Sequence, residues 1–258
     1  MKSHGTSNSP EGRGRAPCMM TGRIPRHAHY TLFIIHFTFA LALCARAQTP
    51  PQLVVFVDSV PVIIAAPAPF VEVSRNLPEA FAQRSRAVSA SGRLLAWFIP
   101  ALSLQENQPG GKPTRCRALQ VQVLREMEPV RYDAQTFKAL RDETLGRAPR
   151  ITEDDAATVF GILDLKPLGQ KPGGQKILGG AELGRDSFTL CIAVGTEGGD
   201  QLGGRKIETS VTCVTYMLIQ EKILLLTVTG PDLSADELRN AMRLTREWLA
   251  LLRWPAKT

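Results

Sequence analysis

Between Lys176 and Thr229 four strand-like stretches follow one another almost without pause: Lys176–Leu183, Asp186–Thr196, Lys206–Ile219 and Lys222–Thr229. Such short gaps admit only antiparallel neighbours, because a parallel crossover needs a dozen or more residues. The stretch EGGDQLGGR, centred near Leu202, is a hairpin loop, and Gln220-Glu221 is a two-residue turn. Asp232–Trp254 then places Leu238, Met242, Thr245, Leu249 and Leu252 on one helical face, with Ser234 or Asp232 as the cap. That face requires an apolar surface. Trp248 lies off the stripe by about 40°, at the edge of the packed face, and Trp254 near the end is expected to be exposed.

The earlier part of the chain supplies more sheet and three helices. GRLLAWFIP (Gly92–Pro100) is a continuous apolar run, read as a buried strand with Trp97 as a core aromatic. In Arg115–Glu126, Cys116, Ala118 and Gln120 alternate with Leu119, Val121 and Val123, the pattern of a strand with one buried face. Ser74 or Asn76 is expected to cap a helix with Pro78 in its first turn and Leu77, Ala80, Phe81 and Arg84 at helical spacing. Asp133 caps a second helix that stops at Gly146. Thr152-Glu153-Asp154-Asp155 opens a third, with Val159, Ile162 and Leu163 as its stripe and Pro167 as its end. Gln105–Pro113 reads as a loop. Strands and helices grouped in this order give an α+β fold, a mostly antiparallel sheet flanked by helices and closed by a long C-terminal helix.

The amino-terminal region has a different character. Thr31–Leu43 is apolar but for its Thr residues and His36, and its 13 residues are too few to span roughly 30 Å of hydrocarbon. Arg23 and Arg26 precede it and Ala45-Arg46-Ala47 follows, which predicts a secretory signal peptide cut between Ala47 and Gln48. Cleavage before Cys44, with lipid attached there, is the alternative, although Leu43 is large for that site. The polar first 18 residues make Met19 or Met20 the expected true start. The expected organisation is an extension and signal peptide over 1–47, a Pro/Ala-rich leading segment over 48–69 with an edge strand near Pro61–Ala65, and one α+β domain over 70–258. After signal removal no membrane-spanning segment is expected, and the location is periplasmic or secreted.

Removing residues 1–47 changes the chemistry. They hold six of the 31 Lys and Arg and one of the 24 Asp and Glu, so residues 48–258 carry 25 and 23, a net charge of +2. Acids and bases alternate, without the clustered basic face that nucleic acid requires. All four histidines (His4, His27, His29, His36) also precede Gln48. Histidine-based triads, His-ligated zinc and haem are thereby excluded. No C-x-x-C, G-K-[ST] or G-x-G-x-x-G pattern occurs in the remainder. Glu153-Asp154-Asp155 is better explained as helix capping than as a calcium site. No cofactor, metal or catalytic residue is assigned.

Cys116, Cys191 and Cys213 remain. Cys191 and Cys213 are equidistant from the centre of the EGGDQLGGR loop. They are a candidate disulfide, or two buried thiols acting as small apolar residues.

GRLLAWFIP, the alternating strand, FKALR, and VTYMLIQEKILLLTVTGP leading into a helix that ends REWLALL together resemble a group of exported bacterial proteins of unassigned activity, over roughly residues 68–253. The layout is similar to the PsbP-like α/β sandwich. That resemblance implies an accessory or assembly role and transfers no functional residue. The expected function is an exported, non-catalytic accessory or binding protein of the cell envelope, with an envelope protein as partner. The alternatives are a carboxylate-dependent or otherwise His-independent envelope hydrolase, and a domain that holds a small apolar ligand at Trp97 or Trp254.

Overall fold

Strand-forming residues dominate the chain order, and the computed structural model arranges them as one large sheet plus a hairpin. It describes residues 52–88, 90–106, 115–169, 173–199 and 205–252. The expectations at Met19, Met20, Cys44, Ala47, Gln48 and Trp254, most of the Gln105–Pro113 loop and the tip of EGGDQLGGR lie outside those residues. β1 (Gln52–Val57) and β2 (Val60–Ala65) form a two-stranded antiparallel hairpin. β3 (Phe70–Glu72), β4 (Gly92–Pro100), β5 (Ala118–Leu124), β6 (Gln175–Gly184), β7 (Ser187–Gly199), β8 (Arg205–Ile219) and β9 (Lys222–Thr229) form a seven-stranded sheet. Its order is β3-β4-β5-β9-β8-β7-β6, and every pairing is antiparallel. The helices are α1 (Pro78–Val88), α2 (Ala101–Glu106), α3 (Ala134–Gly146), α4 (Ala156–Ile162) and α5 (Ala235–Leu251), with a 3₁₀ turn at Lys166–Gly169. The result is an α+β fold, an α-β sandwich. Among the described residues no helix is long and apolar enough to cross a membrane.

The pleat sorts each strand between two faces. One cross-strand row runs Phe98, Leu119, Val228, Cys213, Cys191, all buried. This inner face meets α5, α4 and the inner side of the β1–β2 hairpin in a single core. Trp248 is its largest buried side chain; its ring lies edge-on to Phe98 with centroids 6.3 Å apart, and its indole N–H donates to the Ala65 carbonyl at 2.8 Å. Trp248 is therefore central and not at the edge of the packed face, because the hairpin wraps the flank of α5 that the sheet leaves open. The adjacent row runs Trp97, Gln120, Thr227, Val214, Leu190 on the outer face. There α3 packs Phe137 and Leu145 on Phe188 and Ile223, and α1 lies toward β4.

Several local expectations are corrected. Neither Ser74 nor Asn76 caps α1: Ser74 N–H donates to Glu72 Oε1 at 2.7 Å and the Asn76 amide to the Glu72 carbonyl at 2.7 Å, which builds a turn, while Pro78 is the first helical residue as expected. α4 starts at Ala156. Asp155 turns back to accept from Thr152 N–H at 2.7 Å and from its hydroxyl at 2.8 Å, so half of the capping box closes a turn ahead of the helix. Ile162, assigned to the packed stripe, is 76% exposed, because α4 ends there and Leu163 leaves in extended conformation. By contrast, Asp133 caps α3 by accepting from Thr136 N–H at 2.7 Å, and Ser234 caps α5 by accepting from Glu237 N–H at 3.1 Å.

Edges and turns are controlled by specific residues. The β6 edge is covered where Ile151 N–H donates to the Gly180 carbonyl (3.1 Å) and Gly180 N–H to Pro149 (2.8 Å). A Cβ at Gly179 would fall 2.8 Å from the Pro149 carbonyl oxygen, so only glycine admits this crossing. Gln220 and Glu221 both have positive φ, 47° and 65°, as a two-residue hairpin requires. Side chains other than glycine or asparagine pay for that backbone.

A polar latch docks the hairpin. Lys222, 1% exposed, donates to the Glu128 carbonyl at 2.7 Å and to Asp58 Oδ2 at 3.3 Å. Arg93 pairs with the Glu128 carboxylate and donates to the Phe56 carbonyl at 2.8 Å, while Asp58 N–H donates to Glu128 Oε1 at 3.2 Å. Arg93, through its hydrogen bonds, and then Asp58 hold the Glu128 carboxyl below its ordinary value against the opposing effect of burial. A carboxyl with a folded pKa below its unfolded one stabilises above the unfolded value and stops doing so as pH falls through the folded value. The stability difference between the native chain and Glu128→Gln is therefore expected to be full at neutral pH and to shrink below the reference value of 4.5. Melting temperatures of both, recorded from neutral pH into acid, check this; a difference that did not change with pH would refute it.

Candidate functional site

The candidate disulfide is realised in the sheet. Cys191 and Cys213 are directly opposite on β7 and β8, with Cα atoms 4.1 Å apart and sulfurs in bonding contact. Both are fully buried on the inner face. The narrow Cα spacing is that of a non-hydrogen-bonded antiparallel pair. Cys116 lies elsewhere, beside the outer face. Closing a loop across 22 residues stabilises by roughly 3 kcal/mol in the chain-entropy description. Cys191→Ala with Cys213→Ala is expected to lower unfolding free energy by about that amount, and reductant should lower the urea midpoint of the native chain but not of the double variant. Equal midpoints for both chains without reductant would show that the bond contributes nothing.

Of the concavities among the described residues, two are backed by the large sheet and are candidates for a ligand. The larger, about 930 Å³, opens at the sheet end between the start of α3, the β6–β7 and β8–β9 turns and the end of α5. Three carboxylates line it, those of Asp133, Asp186 and Glu221. Asp133 is engaged with Thr136, whose backbone N–H first and hydroxyl second hold that carboxyl below the usual range. Glu221 pairs with Arg131 at 3.2 Å. A general acid requires the opposite shift to that of Asp133. Arg246, on the same wall, pairs with Glu153, which accounts for two members of the Glu153–Asp155 run: Glu153 binds Arg246 and Asp155 binds Thr152.

The smaller cavity, about 350 Å³, lies between α1 and the outer face. Its sheet floor is Trp97 and Ile99 of β4, Cys116, Ala118 and Gln120 of the β5 segment, and Thr229 of β9; Leu77, Ala80 and Arg84 form the helix side. The alternation in β5 thus has a second consequence. Leu119, Val121 and Val123 fill the core, and the other set faces a void.

Three polar groups meet there. Gln120 is 3% exposed. With its amide turned toward Arg84, Oε1 accepts from Arg84 Nε at 2.8 Å and from Nη2 at 3.1 Å, and the Gln120 amide nitrogen lies 2.9 Å from the Gln122 amide, which turns with it to present its oxygen. Among the described residues, Gln120 is the hydrogen-bond partner of the Arg84 guanidinium; the side chain as a whole is exposed at the cavity mouth, but burial of the guanidinium pushes its pKa below the ordinary value. The Trp97 indole nitrogen is shut off from solvent and has no acceptor among the described residues. Leaving a buried N–H unsatisfied costs about 1–3 kcal/mol. Trp97 is only partly buried as a residue, so it is less a core aromatic than a floor under α1. No residue of α1 is itself buried. The helix stripe read from sequence (Leu77, Ala80, Phe81, Arg84) is real, but it covers a cavity and does not seal the sheet. The sequence signal for this site was Trp97 in an apolar strand; Gln120 and Arg84 carried none that set them apart from surface polar residues.

No protein-family model matches the chain, and no curated protein matches it in sequence. Two solved structures match in fold comparison. One is the Saccharomyces cerevisiae Ran-binding protein Mog1p, with a TM-score of 0.35, 10% identity, and coverage of 79% of this chain and 93% of that one. The other is a point mutant of Mog1, with a TM-score of 0.35, 10% identity, and coverage of 78% and 93%. Likeness at this level assigns neither a family nor a role.

Proposed function

We propose that this chain is an exported, non-catalytic binding or accessory protein of the cell envelope. The observation that carries the reading is the α1 cavity, where a void with apolar walls is bordered by Arg84, Gln120 and Trp97, whose indole N–H is buried without an acceptor among the described residues. Binding sites combine an apolar lining with a few convergent polar groups in this way. The described residues lining it set a guanidinium and an amide among apolar side chains, a chemistry suited to recognition. The buried Cys191–Cys213 pair supports an oxidising compartment, and Thr31–Ala47 supports export through a signal cut before Gln48. On this reading α1 and the cavity hold a ligand or a segment of an envelope partner.

Native mass spectrometry of the protein recovered from the exported fraction tests the proposal. The expected mass starts at Gln48, is two hydrogens light until reduced, and carries additional mass that denaturation releases. A full-length chain confined to the cytosol, or substrate turnover abolished by a single Asp or Glu substitution, would overturn it.

A further inference from the structure

Resting on that reading, we infer that the α1 cavity takes a small monocarboxylate with an apolar body, its carboxylate taking the place of the Gln120 amide oxygen on Arg84 and one oxygen accepting from the Trp97 indole N–H. The charge argument comes first. Arg84 is a single cation at the mouth, and its hydrogen-bond partner among the described residues is the neutral Gln120. One guanidinium whose partner is a neutral amide oxygen suits a monoanion, and its planar fork matches a carboxylate. A dianionic phosphate would find only half of its charge met.

Size and lining define the rest of the ligand. A cavity of about 350 Å³ is at the small end of the range for ligand pockets, which excludes a folded partner as the occupant. Leu77, Ala80, Ile99 and Ala118 give it hydrocarbon walls. Access follows from the packing of α1. The helix buries none of its residues, so it is the layer that separates from the sheet most cheaply. Separation uncovers the indole nitrogen, and the ligand oxygen supplies the acceptor that this N–H lacks. The apolar body fills the space that the helix stripe leaves empty.

Titration of ¹⁵N-labelled protein with sodium octanoate, and separately with 1-octanol, tests the inference through the indole N–H resonances. Trp97→Phe identifies the Trp97 signal. Trp248 is an internal reference, because its N–H is already bonded to Ala65 and lies on the opposite face. Octanoate should shift the Trp97 resonance saturably and leave that of Trp248 in place. Octanol should bind at least tenfold more weakly, and Arg84→Gln should weaken octanoate at least tenfold, as expected for loss of a charge-assisted pair, with the Trp248 resonance confirming the fold. An unmoved Trp97 resonance, equal binding of octanol and octanoate, or an indifferent Arg84→Gln would each overturn the acid assignment. In that event a mass retained by the exported protein in the native spectrum would still uphold the wider binding reading, and loss of both would end it.

Discussion

The period-two pleat of the central strands β5, β9, β8 and β7 is the constraint on which the other features depend. Adjacent cross-strand rows face opposite ways. The row Phe98, Leu119, Val228, Cys213, Cys191 faces α5 and is buried throughout. Its neighbour, Trp97, Gln120, Thr227, Val214, Leu190, faces α1 and α3 and mixes aromatic, amide, hydroxyl and aliphatic groups. A shift of one residue would exchange the two sets, and the long β7–β8 pairing with its Cys191–Cys213 contact holds the register against that shift.

The two faces are covered unequally. On the inner face α5 and the hairpin enclose Trp248 so completely that its one polar atom finds the Ala65 carbonyl. Arg117 anchors the start of β5 to α5 by two hydrogen bonds to Glu237, at 2.8 and 2.7 Å. On the outer face α3 packs an aromatic cluster in which the Phe188 and Tyr216 rings stack at 4.8 Å. The half under α1 has no equivalent. A protein interior normally closes such gaps, since each lost contact forfeits dispersion energy. The void under α1 and the buried Trp97 indole N–H that lacks an acceptor among the described residues are departures from that rule, and departures of that kind gather at functional sites.

The β1–β2 hairpin shows the same division of labour between apolar and polar contacts. Val55, Val57, Val62 and Ile64 enter the core, while Lys222, Asp58, Arg93 and Glu128 orient the hairpin turn. Burying Lys222 is tolerable because a carbonyl and a carboxylate receive its protons. Its outer side leaves Val54, Phe56 and Ile63 exposed. The hairpin contributes specificity of docking as much as apolar area.

The sequence by itself determined whatever depends on local period and local chemistry. The four strands from β6 to β9, the two-residue turn at Gln220-Glu221, the Asp133 cap, a cap at Ser234 or Asp232, and the two faces of β5 were legible, because each is decided by neighbours a few residues away; the symmetric placing of Cys191 and Cys213 about their loop followed from the hairpin. Only the tertiary structure decided how much of each face is covered. Helical spacing marks Trp248 as flanking the α5 stripe but cannot show that the hairpin encloses it. The same spacing puts Ile162 with Val159 but cannot show that α4 ends in solvent. It aligns Leu77, Ala80 and Arg84 without revealing the empty volume beneath them. Apolar periodicity reports the direction of a side chain; the distance to the next layer is set by every other element packed between, and that distance makes the difference between a filled core and a cavity with Trp97, Gln120 and Arg84 around it.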